Sequence, residues 1–298
     1  MRQPERSPFV RHPVALAACL LGWPAAFALP QGGTPTFGQT DIRQNAPGQL
    51  TINQGSARAG IDWTSFSIAA GERVQVIQPG RDSVLVNRVV GNDPSSIFGQ
   101  LQSNGNVWLI NPRGIFFGAS SRIDVGGLVA TTLNLEGTDA SSGRIRLGRG
   151  AEGAGEIRSE GQITARDGTV VLAAPQVTHS GTIEARRVGI AAATQVDVDV
   201  EGDGLIFFNA RNDGTLDTRL KLLGNVLADG GTADVRAAAR AGFADTVLNL
   251  DGVVRARSIG QRNGRIFIDG GSDGAVIVTG TVNASGNGAG VRFDVSAR

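Results

Sequence analysis

The sequence predicts an all-β chain wound as a right-handed parallel β-helix, with an N-terminal cap and small strands outside the helix. Three observations predict it. Short segments alternate apolar and polar residues with period two, as in Arg144-Ile145-Arg146-Leu147, Val196-Asp197-Val198-Asp199-Val200 and Arg265-Ile266-Phe267-Ile268-Asp269. Each such segment has one face to bury and one to wet. A unit Gly-x-Ile/Val-x-Ala recurs at Gly161-Ile163-Ala165, Gly181-Ile183-Ala185, Gly224-Val226-Ala228, Gly252-Val254-Ala256 and Gly280-Val282-Ala284, at offsets of 20, 43, 28 and 28 residues. Irregular recurrence of one strand-and-turn unit marks a solenoid, in which each coil buries its apolar residues only by stacking on the next. Glycine, 43 residues of 298, is about twice its usual share and lacks the every-third spacing of collagen. At about 20 residues per coil the chain would make on the order of 13 coils, fewer once caps and loops are set aside.

In chain order, residues 1–28 read as a secretory leader. Arg2, Arg6 and Arg11 give a basic start, Val14 to Trp23 an apolar centre, and Ala26-Phe27-Ala28 a small-x-small cleavage site. Leu16-Ala17-Ala18-Cys19 resembles a lipoprotein cleavage box, but only a short apolar run precedes the cysteine, and the mass of the mature amino terminus separates the two readings. Leu29 to Ala59 is rich in Gly, Gln, Thr and Asn and reads as a cap, polar on its outer face as the open end of stacked strands requires. Strands follow at Ile61 to Ile68, Val74 to Ile77 and Val84 to Val90, separated by Gly or Pro.

The stretch from Ser83 to Leu133 is the most informative. Turn signals at Gly91-Asn92-Asp93-Pro94, Asn104-Gly105-Asn106, Asn111-Pro112-Arg113-Gly114 and Gly126-Gly127 separate runs of β-branched and aromatic residues. Asn111 to Gly114 reads as one β-turn, with Pro fixing φ at its second position and Gly closing it. Apolar runs flank it, Val107 to Ile110 and Ile115 to Phe117. Gly99-Leu101-Ser103 echoes the later repeat unit. Trp63 and Trp108 sit in apolar strands, which predicts burial in the coil interior. Phe116 and Phe117 are adjacent, so a regular strand turns one of them outward, against a partner or under a packed appendage. Asn87 reads as a member of an internal amide ladder, with Arg88 solvated on the opposite face.

These residues carry a family resemblance. Val84 to Val89, the run Asp93 to Leu101, Ser103 to Gly118 and Val125 to Thr132 resemble the N-terminal secretion domain of two-partner-secretion exoproteins, the filamentous haemagglutinins and related large adhesins. Leu50 to Gln54 and Ile61 to Phe66 extend the match toward the amino terminus. The resemblance implies a β-helical fold and a division into a secretion domain at 29–135 and a β-helix extension at 136–298. It also implies a secretion motif at Asn111, Pro112, Arg113, Gly114, Asn87 and Arg88, with Phe116 and Phe117 as candidate partner contacts. The family's usual turn is Asn-Pro-Asn-Gly, so Arg113 is a departure; its second turn, Asn-Pro-Asn-Leu, is absent from the chain.

Composition narrows the chemistry. Setting aside Arg2, Arg6, Arg11 and Glu5 of the leader takes the formal charge from +1 to −1, which gives no electrostatic case for nucleic acid. Cys19 is the only cysteine and His179 the only histidine after the leader, so disulfides, thiolate or His-cluster metal sites and Cys-His catalysis are excluded from the processed chain. No P-loop occurs, since Gly-Lys-Ser/Thr is absent. Asp197, Asp199, Glu201 and Asp203 fall on one strand face; a Ca²⁺ site is conceivable there, but no Asp-x-Asp-x-Asp-Gly loop accompanies them and a solvated outer face is the favoured reading.

The function these features predict is that of a non-enzymatic exoprotein without metal or cofactor. The cognate outer-membrane transporter of a Gram-negative-type cell reads its N-terminal domain in the periplasm and passes the chain to the surface or the medium. An adhesin-like or haemagglutinin-like role follows from the resemblance, with a host-cell or glycan receptor as the further partner. The alternative is a polysaccharide-acting β-helix enzyme of the lyase kind, for which Asp197 to Asp203 with Arg211 is the crude candidate. Val291 to Arg298 has strand character and no obvious cap, so the chain reads equally as a short exoprotein or as part of a longer one.

Overall fold

The computed structural model describes residues 28–139, 144–150, 154–199, 208–240, 246–258, 264–271, 274–286 and 292–296; residues 1–27 with Cys19, and Val200, Glu201 and Asp203, lie outside the described residues. Every regular element among them is a strand. The strands wind into a right-handed parallel β-helix of triangular cross-section, the hand that right-twisted strands favour for parallel crossovers. Two faces merge into one large sheet and the third is a separate seven-stranded sheet.

The repeat unit builds the first face. Leu50, Val74, Leu101, Ile123, Ile163, Ile183, Val226, Val254 and Val282 occupy successive levels of one inward column. The echo at Leu101 thus belongs to the same column as the later repeats. The glycine of each repeat sits at the preceding corner, where a Cβ on Gly181, Gly224, Gly252 or Gly280 would collide with the carbonyl oxygen of the glycine one level below. Each of the offsets 20, 43, 28 and 28 is one coil. The excess leaves the helix as loops, which is why nine levels stand among the described residues where even spacing predicts more.

The second face runs through Arg58–Trp63, Val84–Val89, Asn106–Ile110, Gly127–Thr131, Thr232–Ala237 and Arg265–Asp269. The strand expected over Ile61 to Ile68 is shorter. It ends at Trp63, Ser65 bridges to Gln31, and Ile68 pairs with Ile97 on the third face, because a triangular coil must turn a corner there. At the amino end Thr34–Phe37 and Thr40–Ala46 pair antiparallel with the first coil and close it, while Gln49–Gln54 already belongs to the helix.

A four-stranded antiparallel sheet, Asn134–Asp139, Arg144–Gly148, Gln195–Asp199 and Phe208–Arg211, is built from two of the long insertions and lies outside the helix. It covers the outer side of the second face and forms a second core with Trp108, Val129, Leu133, Leu147, Val171, Ala191, Val196 and Val198. Trp108 therefore does not lie in the coil interior as expected. It points outward and is buried by the added sheet, whereas Trp63 is inside the coil. Strands covered on both faces read as continuous apolar runs, which explains Gly127-Leu-Val-Ala and Val170-Val-Leu-Ala. Parallel pairing of Gly127–Thr131 with Gln162–Ala174 carries the stack past residue 135, where the first of these insertions leaves it.

The inward column of the third face is Ile97, Phe117, Ser159, His179, Leu222 and Leu250. Ser159 and His179 are fully buried. His179 Nε2 lies 3.2 Å from the Asn225 carbonyl, which only accepts, so Nε2 carries the proton and Nδ1 accepts from the Ser159 hydroxyl at 3.2 Å. With its far nitrogen on a carbonyl and no path for substrate, the pair is not a hydrolytic triad. Burial holds the His179 pKa below its ordinary value. The unfolded chain thus takes up this proton first, and stability falls as pH drops through the unfolded value of about 6.5, with a slope approaching about 1.4 kcal/mol per pH unit. Urea melts between pH 7 and 5 should show this slope in the wild type and not in His179→Leu; a flat wild-type profile would mean the folded ring accepts the proton.

Candidate functional site

The turn Asn111 to Gly114 sits at the corner between the second and third faces. Its geometry follows from its residues. Gly114 N donates to Asn111 O at 3.1 Å, Arg113 N donates to Asn111 Oδ1 at 2.9 Å, and Gly114 has φ of 128°, where only glycine rests without strain. The fully buried Asn111 amide also reaches one level down, donating through Nδ2 to Asp93 O and Ser95 Oγ, both at 3.0 Å. Ser95 N donates to Gly114 O at 3.0 Å, and from the next level Gly155 N donates to Pro112 O at 2.7 Å. The turn is thereby one rung of a corner ladder joining three coils. Arg113, at the position where the related turn carries Asn, reaches out to Asn92 Oδ1 at 3.0 Å. Asn92, Asp93 and Ser95 were legible only as a turn; their role as the seat of Asn111 depends on the register between coils.

Asn87 lies inward on the second face, between Ile61 and Leu109. It is not in an amide ladder: its Oδ1 accepts from Trp63 Nε1 at 3.0 Å and its Nδ2 donates to Trp108 O at 3.3 Å. The tryptophan N–H buried in the coil needed an acceptor, and Asn87 supplies it. The amide ladder of this protein stands elsewhere, at the corner where Gln78 Nε2 donates to Gln54 Oε1 at 3.0 Å and Ser103 Oγ donates to Gln78 Oε1. Arg88 faces outward but is not simply solvated. Its Nε donates to Asp62 Oδ1 at 2.8 Å in a two-point pair that raises the Arg88 pKa through that hydrogen bond. Both partners are partly exposed, so the pair contributes at most about 1 kcal/mol.

Of the adjacent phenylalanines, Phe117 is inward and fully buried and Phe116 is outward and half-buried. The added sheet covers the Trp108 face, not this one. Phe116 meets Phe98 edge to face at 5.3 Å, and the Arg158 guanidinium lies 5.6 Å above its ring. Phe98 is itself exposed. An aromatic pair with a guanidinium therefore stands on the third face, on the same strand that leaves the Asn111 turn. Arg158 could not be found from sequence spacing, because the insertion after Leu133 separates it from Phe116 by a long stretch of chain.

Of the candidate carboxylates, Asp197 lies away from the groove. Asp197 is paired with Arg146 at 3.2 Å and Arg211 at 2.8 Å on the added sheet, with Val196 and Val198 turned to its core. An open polar groove of about 630 Å³ lies instead on the outer side of the first face, among Gln100, Gln102, Arg122, Asp124, Gln162 and Arg166. The strands flooring it pair with neighbours on both sides, so their backbone offers nothing for an added strand.

The family model described as TPS secretion domain matches residues 26–288. Two heme/hemopexin-binding proteins of Haemophilus influenzae, the second from strain ATCC 51907 / DSM 11121 / KW20 / Rd, are 39% identical over 120 residues and 34% identical over 169. Those matches cover 40% and 54% of this chain but only 13% and 18% of the relatives' length. The crystal structure of the HMW1 secretion domain from Haemophilus influenzae superposes with a TM-score of 0.68 at 26% identity, over 87% of this chain and 75% of that one.

Proposed function

The chain belongs to the family of TPS secretion domains, and from that premise we propose that it is the secretion-directing part of an exported exoprotein, read in the periplasm by a cognate outer-membrane transporter. The family match along nearly the whole described chain carries this reading. The absence of cysteine after the leader is compatible with passage in an unfolded state, since no cross-link has to be opened. Coils that form one after another outside the cell can each template the next. We assign recognition chiefly to residues 29–135, with 136–298 as the β-helix extension. Asn111, Pro112, Gly114 and Asn87 then act as positioning residues that fix the corner, while Arg113, Arg88 and Phe116 present the surface and Phe117 anchors it from within. Deleting the transporter gene and blotting medium and periplasm tests the pathway: accumulation in the periplasm is expected, and undiminished release sinks it.

The surface assignment has its own test. Arg113→Ala combined with Phe116→Ala should lower export about tenfold, the equivalent of about 1.4 kcal/mol of recognition, while the urea midpoint of the purified protein stays near wild type. Unchanged export with both side chains gone moves recognition to another face. For the mature exoprotein we infer adhesion to a host-cell or glycan receptor, with capture of haem or its carrier, the ligand in the relatives' names, as a second reading. The share of those relatives that this chain covers is too small to bring their ligand with it, and pull-downs with haemopexin and with host cells separate the two. The lyase reading loses support because its carboxylate, Asp197, is held by two arginines.

A further inference from the structure

Glu72 is a charged side chain where none is expected, at 3% exposure inside the first coil. Its carboxylate accepts from two backbone amides: Ala28 N lies 3.2 Å from each oxygen, and Ala69 N lies 2.7 Å from one of them. Among the described residues no cationic side chain completes this shell. A buried carboxylate held only by neutral donors is costly, and nearby fixed positive charge is the usual compensation. Ala28 is also the residue after which the leader reads as being cut. The next residues are firmly seated: Leu29 is buried in the core, and Gln31 exchanges backbone hydrogen bonds with Thr64 and Ser65.

We propose that Glu72 is the counter-ion of the amino terminus that leader cleavage creates, an inference that rests on the leader reading of residues 1–28. Hydrolysis of the Ala28–Leu29 bond by a leader peptidase adds one water: Ala28 departs as a carboxylate with the leader, and the Leu29 nitrogen becomes an ammonium. Consecutive backbone nitrogens are at most about 3.6 Å apart, so this ammonium starts within about 7 Å of a carboxylate that has just lost its two Ala28 contacts. Leu29 stays fixed by its buried side chain, and the freed nitrogen needs only to rotate toward Glu72. Processing thus replaces one neutral donor with a cation at the base of the N-terminal cap and locks the first coil. The precursor lacks this lock, so the cap closes firmly only after the chain has left the cytoplasm.

The test compares the full precursor with the processed protein, each as wild type and as Glu72→Gln. The mass of the processed protein is read first; a terminus other than Leu29 removes the leader premise, separately from the inference itself. With Leu29 confirmed, Glu72→Gln should lower the urea midpoint of the processed protein at least twice as far as that of the precursor. Equal losses in both would make Glu72 a turn cap for Ala69 and overturn the proposal. Labelling with an amine-selective reagent gives a local readout, with Lys221, the only lysine, as internal reference. The Leu29-to-Lys221 labelling ratio should rise about tenfold in processed Glu72→Gln, since an ion-paired ammonium is held in its unreactive form. An unchanged ratio overturns the proposal even if the variant is stable.

Discussion

Gly224→Val should abolish folding of the C-terminal coils, costing more than about 4 kcal/mol. The reason lies in the corner column. A Cβ at residue 224 would clash with the Gly181 carbonyl oxygen and lie 2.5 Å from the Ser180 carbonyl carbon, and both are backbone atoms of the coil below. No rotamer relieves a clash with main chain, so the strands on either side would have to separate. Gly224 N donates to His179 O at 3.1 Å and Asn225 N to Gly181 O at 2.8 Å, and both bonds would break with that separation. In a solenoid each level is supported only by its neighbours, so everything beyond the break loses its template. Gly80→Ala is the matched control, because a Cβ there meets nothing within 4 Å. Limited proteolysis and urea unfolding should show the 224 variant cut near this level and the 80 variant unchanged; a wild-type melt for Gly224→Val would mean that the coils do not stack in this register.

Asn111→Ala should cost about 3 kcal/mol and reduce export along with stability. One buried amide makes three side-chain hydrogen bonds, to Asp93 O, Ser95 Oγ and Arg113 N. Removing it leaves the buried Ser95 hydroxyl and the part-buried Asp93 carbonyl without their donor, and a buried group so orphaned is worth about 1–3 kcal/mol. Leaving the Asp93 loop unseated also frees Asn92, the support of Arg113. Export should therefore fall further in Asn111→Ala than in the Arg113 and Phe116 double variant, and part of that loss should track the lowered urea midpoint. If Asn111→Ala melts like wild type, the turn is held by its backbone alone and the amide has another task.

The corner turn was legible because Pro fixes φ, Gly tolerates the positive φ that closes the turn and Asn bonds its own backbone, and a β-turn needs no distant partner to be recognised. The seat of that turn was not. Asn92, Asp93, Ser95 and Gly155 come beneath and above it only through inter-coil register, which depends on how many residues each coil diverts into loops. Asn87 was misread for the same reason: its neighbours on the coils below and above are Ile61 and Leu109, and its partner is an indole two positions along the neighbouring strand. Trp108 shows a further limit. Alternation says that residues 107 and 109 share one face and 108 the other, but it cannot say that a second sheet covers the outer one.

Sequence by itself determined that the chain is a stacked β coil, because period-two alternation and a glycine at every repeat of one corner are demands of local geometry. It also marked the turn Asn111 to Gly114 and indicated that Phe116 and Phe117 would split between inside and outside. Tertiary structure alone decided the number of levels, the side on which Trp108 is buried, the meeting of Phe98, Phe116 and Arg158, and the seat of Glu72 beside Ala28. Those depend on contacts between residues far apart in the chain, and insertions of unequal length erase their spacing from the sequence while the parallel ladder restores it in space.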